Sequence, residues 1–161
     1  MPKLLLSTVL ALLAVLPARA GACVGLGEPM QGPLVRSFAP SGRYAGHWGV
    51  DWGVPAGTAV TAAGPGTVTY AGVVAGNRTV TVHHGGGLRT SNSYLSQIDV
   101  RQGQEVAAGT LLGRSGVDHD TPALHFSTPI DSLYVDPLEV VGCHSRVPAT
   151  ALRLVHLRAP P

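Results

Sequence analysis

Within a chain of 161 residues, the stretch Gly46-His47-Trp48-Gly49-Val50-Asp51 has the spacing that most clearly suggests chemistry. A histidine and an aspartate four apart would share a helix face, but Gly49, Gly53 and Pro55, set among Val50 and Trp52, argue against a helix. On an extended chain His47, Gly49 and Asp51 point the same way, and Gly49 puts no side chain between the nitrogen and oxygen donors. A metal could sit over Gly49. His125, in the alternating segment Ala123-Leu124-His125-Phe126, offers a third donor. His, Asp and His with one position left open is the donor set of a catalytic zinc site. The same residues admit a plainer reading, in which His47 caps a turn, Asp51 holds a loop and His125 is a hydrogen-bonded core histidine.

Short strands must position these donors. Runs rich in Val, Thr and Tyr recur at residues 34–38, 59–62, 67–70, 79–84, 104–107 and 124–128. Turn residues separate them, among them Pro40-Ser41-Gly42, Gly64-Pro65-Gly66, Gly76-Asn77, Gly85 to Gly87, and Gly113 with Gly116. No long stretch holds the apolar spacing of a helix. The pattern predicts an all-β fold: one compact antiparallel sandwich or barrel-like domain. The clearest strand, residues 79–84, puts Val80, Val82 and His84 on one face and Thr79, Thr81 and His83 on the other, with the apolar face inward.

Composition narrows the function. Residues 1–20 read as a secretory signal peptide: Lys3, an apolar run over residues 4–16, then Pro17 and Ala18-Arg19-Ala20. The full chain has 11 basic and 9 acidic residues. Removing Lys3 and Arg19 with the leader brings the two counts level. A neutral mature chain lacks the basic stripe of a nucleic-acid binder. It also holds no lysine, which excludes Schiff-base, P-loop and biotin- or lipoate-carrier chemistry. The leader's apolar run falls short of the roughly 20 residues of a membrane span, and no later segment is continuously apolar. A soluble, monomeric, extracytoplasmic protein is expected. Its organisation would be a linker over residues 21–32, a domain over 33–143 and a tail over 144–161.

Residues 46–72, GHWGVDWGVPAGTAVTAAGPGTVTYAG, resemble the lysostaphin/LytM family of zinc endopeptidases through its H-x-G-x-D hallmark and the glycine-punctuated run that follows. VTVHHGGGL at 80–88, VRQGQEVAAGTLLG at 100–113, LHF at 124–126 and VDPL at 135–138 continue the resemblance in the family's order. The resemblance implies a β-sheet core with one zinc on His47, Asp51 and His125. It also implies action on bacterial peptidoglycan peptides, a substrate that agrees with secretion to the cell wall or periplasm.

The chain departs from the family at its two further histidines. Where the family has Y-x-H-L, this sequence has Asn92-Ser93-Tyr94-Leu95, and the first histidine of H-x-H is Ala123. The preceding loop is shortened to residues 116–122, which contain His119 between Asp118 and Asp120. His119 and Tyr94 are the candidates to replace the lost groups, His119 by swinging toward the metal and Tyr94 by donating to an oxyanion. An alternative, to which Tyr94 and Ala123 point, is a zinc-containing module that binds wall peptides or regulates another cell-wall hydrolase without cutting. Cys23 and Cys143, the only two cysteines, are expected to pair in an oxidising compartment. Lipidation of Cys23 is the rival reading.

Overall fold

Within the residues described by the computed structural model, 25–42 and 45–142, the alternation becomes twelve strands and one helical turn. The leader, both cysteines and the tail lie outside them. The strands are β1 (Leu34–Arg36), β2 (Ala39–Ser41), β3 (Ala45–His47), β4 (Val50–Gly53), β5 (Ala59–Thr61), β6 (Gly66–Val74), β7 (Asn77–His83), β8 (Arg89–Ile98), β9 (Glu105–Val106), β10 (Leu111–Asp118), β11 (Thr121–Ile130) and β12 (Leu133–Val135). The helical turn α1 spans Pro137–Val140, and the Asp136 side chain caps it by accepting from the Leu138 amide at 3.0 Å. The main sheet runs β1-β4-β11-β10-β8-β7-β6-β9, with β12 added to β11, β5 to β10, and β8 also pairing with β11. β2 and β3 form a separate two-stranded sheet, and the strand pairings in both sheets are antiparallel.

Alternation along the central strands sorts residues by face. Val50, Val80, Val82, Leu124 and Phe126 are fully buried on the core face, where Trp52 meets Phe126 edge-on with ring centroids 5.4 Å apart. Asp51, His125, Ser93 and Thr79 occupy the opposite face as direct cross-strand partners, Asp51 with His125, His125 with Ser93 and Ser93 with Thr79. Residues 25–32, expected as linker, contribute Leu26 and Met30 to the core.

Two features expected as turns or loops are otherwise. Gly113 and Gly116 lie inside β10, where a Cβ at either position would run into the β8 backbone, at Gln97 and at Tyr94. These glycines serve close strand approach and not chain reversal. The segment 116–122 is mostly strand. Its only break is the two-residue hairpin His119-Asp120, with φ of 43° and 66° and Asp118 paired to Thr121, the backbone signature of a type I′ turn. The β6–β7 hairpin turns the same way at Ala75-Gly76.

Candidate metal centre and adjoining groove

His47 ends β3, the chain bends at Trp48-Gly49, and Asp51 enters with β4. The stretch expected as one extended segment is thus a crossing from the small sheet to the large one. Gly46 makes that crossing possible: its φ is 81°, and a Cβ there would collide with the β2 backbone. His125 reaches the same point from β11. Its ring lies against Gly49, where a Cβ would come within 2.7 Å of the imidazole. What sits over Gly49 is therefore the His125 ring.

The three donors converge. His47 Nε2 is 3.0 Å from Asp51 Oδ1 and 3.1 Å from His125 Nδ1, and His125 Nδ1 is 2.8 Å from Asp51 Oδ1. Asp51 and His47 are buried and His125 partly so. His47 Nδ1 donates to the Ser37 carbonyl at 2.8 Å, since a carbonyl can only accept. That bond leaves Nε2 as the ring atom facing the other two donors. An outer N–H held by a backbone carbonyl is the support that metal-ligating histidines receive. A triangle this small has points about 2.0–2.2 Å from all three corners, the distances zinc requires. Burial works against the Asp51 carboxylate, but the His125 and His47 rings outweigh it and hold its pKa below the ordinary carboxylate value.

Beside the triad, Tyr94 adopts φ of 62° at a register shift in the β7–β8 pairing, where Ser93 faces Thr79 but Leu95 faces Arg78. The bulge lets Tyr94 contact the His125 ring, edge-on at 6.2 Å between centroids, and the His119 ring at 5.8 Å. Burial, and then the nearby Asp118 carboxylate, raise the Tyr94 pKa. His119 Nδ1 donates to Asp118. The Asp118 side chain is 8% exposed and that of His119 is 78% exposed.

On the other flank of His125 opens a groove of about 290 Å³. Trp48, Tyr70 and Tyr134 wall it, and Thr79, Thr81, Ser91, Ser93 and Ser127 line it with hydroxyls. Thr79 bonds Ser93 at 3.1 Å and Thr81 bonds Ser91 at 2.6 Å across the strands.

The profile of peptidase family M23 matches residues 45–137, more than half of the chain. The chain belongs to peptidase family M23. An uncharacterized protein of Mycobacterium tuberculosis is 39% identical over 125 residues, covering 70% of this M23 chain and 50% of that protein. The DD-carboxypeptidase/endopeptidase Mpg of Neisseria meningitidis is 32% identical over 97 residues, 58% of this chain and 22% of its own. The catalytic domain of the antimicrobial peptidase lysostaphin from Staphylococcus simulans superposes with a TM-score of 0.56 at 26% identity, covering 67% of this chain and 88% of that domain. The M23 chain thus spans about half the length, or less, of these curated relatives.

Of the residues singled out in the sequence, the structure brings His47, Asp51 and His125 together. Tyr94 adjoins them, and His119 sits one ring further out on a tight turn, where a loop able to swing had been expected. Asp118 went unassigned, because no pattern of residue types announces that a carboxylate will hold a turn histidine near a bulged tyrosine.

Proposed function

We propose that this chain is a secreted zinc metallopeptidase acting on peptidoglycan peptides, with His47, Asp51 and His125 as the metal ligands. The observation that carries the reading is the convergence of three donors, two imidazole nitrogens and a carboxylate oxygen, within 3.1 Å of one another, with the outer N–H of His47 fixed by a carbonyl. Three lone pairs so close repel one another unless a cation or protons lie between them, and this donor set suits zinc. When bound, zinc supplies a Lewis acid that polarises a scissile carbonyl. The groove would hold the extended peptide against Ser93, Thr79, Ser91 and Thr81, and Trp48 and Tyr134, whose rings meet at 5.8 Å, would shield it from water. Tyr94 and His119 are the candidates to donate hydrogen bonds to the oxygen that becomes negative, since Tyr94 adjoins the triad and His119 adjoins Tyr94.

The test is fragment release from purified peptidoglycan by the zinc-loaded protein, with metal content measured on the same sample. His125→Ala is expected to lose both zinc and cleavage. Ala123, buried where the resembled family carries a histidine, supports a second reading, a zinc-containing module that holds wall peptides. Zinc and peptide binding without fragments would favour that module, and failure to take up zinc would overturn both readings.

A further inference from the structure

Where β1 pairs with β4 the register shifts: Leu34 lies opposite Trp52, and Arg36 lies opposite Asp51. Val35 is the extra residue of a bulge, which sets two residues of one strand against one of its partner and can re-aim a side chain. The Val35 side chain lies against Gly53, where a Cβ would come within 2.6 Å of it, and Gly53 shares the face of Asp51. Arg36 faces the same way as its partner Asp51, and its positive charge acts on Tyr94, pulling against the upward shift there. Arg36 is exposed, and among the described residues it makes no hydrogen bond or ion pair.

One row of facing residues therefore crosses five strands: Arg36, Asp51, His125, Ser93, Thr79. A guanidinium stands at one end, hydroxyls at the other, and the three-donor site lies between them. The groove at the hydroxyl end has no Asp, Glu, Lys or Arg in its lining. Apart from the donor triad itself, a substrate laid along this row meets one fixed charge, on one side only. An arginine fork matches a carboxylate in shape and charge, and its five donors leave it nothing else to recognise but an acceptor.

We propose that Arg36 is a specificity-determining residue that binds a substrate carboxylate, so that the preferred peptides end in a free carboxylate on the β1 side of the donor triad and lie uncharged in the groove. Cleavage of such peptides rests on the metallopeptidase reading; their recognition by Arg36 does not. The zinc-loaded full chain is titrated by calorimetry with two N-acetylated pentapeptides of glycine and alanine that end in D-Ala-D-Ala, one with a free carboxylate and one with a carboxamide, and fragment release is followed in parallel. The wild type is expected to bind the acid roughly ten- to a hundredfold more tightly than the amide. Arg36→Ala brings that ratio close to one with zinc content and circular dichroism unchanged, and Arg36→Lys, which keeps the charge without the fork, falls between. A wild type that binds acid and amide alike, or binds neither, overturns the assignment. So does an Arg36→Ala variant that still prefers the acid, which would give the carboxylate to the metal. Preference for the acid without cleavage leaves Arg36 standing and removes the peptidase, whereas equal binding and cleavage of both peptides does the reverse.

Discussion

The Asp118 carboxylate accepts from a ring nitrogen of His119 and acts by its charge on Tyr94, so removing that charge frees His119 and alters the surroundings of Tyr94. His119→Ala is expected to lower peptidoglycan cleavage at least about tenfold with zinc content unchanged, the loss that follows removal of a positioned proton donor. Asp118→Asn should cost a similar factor by loosening His119, and Tyr94→Phe tests the other donor separately. Cleavage untouched by His119→Ala would return this exposed ring to a solvated turn. The three donors were legible from residue type and spacing, although His47 and Asp51 lie on two strands joined by a bend at Trp48-Gly49 and not on the one extended segment expected. Tyr94 was legible only as a departure from a pattern. Arg36 and Asp118 were not, because their orientation depends on a bulge in β1 and a two-residue turn after β10, and neither leaves a compositional mark.

His84 joins two elements. Its Nδ1 donates to the Pro65 carbonyl at 2.8 Å, and its Nε2 accepts from the Thr90 hydroxyl at 2.8 Å, which ties the turn before β6 to β8. Burial lowers the His84 pKa below 6.5, outweighing the Pro65 carbonyl, which favours the charged ring, while the neighbouring His83 pulls it further down. The unfolded chain takes up a proton near pH 6.5 and the folded chain only below that, so protonation favours unfolding. Stability from this site is present above pH 6.5 and is lost as pH falls through the lower folded value. Thermal melts between pH 7 and 5 should show the wild type losing stability more steeply than His84→Gln; parallel curves would remove His84 from the acid response. At this scale strand existence was readable from Val and Thr alternation, as Val80 and Val82 show by lying fully buried. The role of a glycine was not. Gly113 and Gly116 look like turn residues in the sequence, and only the proximity of β8 reveals that they make room for a neighbouring backbone.

Across the whole molecule, the two ends of the described chain meet. Leu26 bridges Val141, and the Gly142 amide donates to the Leu26 carbonyl at 2.8 Å. Cys23 and Cys143 lie just outside these residues, three before Leu26 and one after Gly142. A thiol titration of the unreduced, denatured mature protein is therefore expected to find none free, and two free thiols would refute the pairing. If the pair is bridged, reduction should cost roughly 4–5 kcal/mol in a chain-entropy account, because such a bridge would close a loop of about 120 residues. The pairing of β4 with β11 sets Asp51 opposite His125 and, one residue along, Val50 opposite Phe126. A slip by a single residue would turn Phe126 to solvent and His125 to the interior together. Chains that have zipped wrongly thus forfeit core and donor triad in one error, and uptake of a metal ion would count only correctly registered molecules.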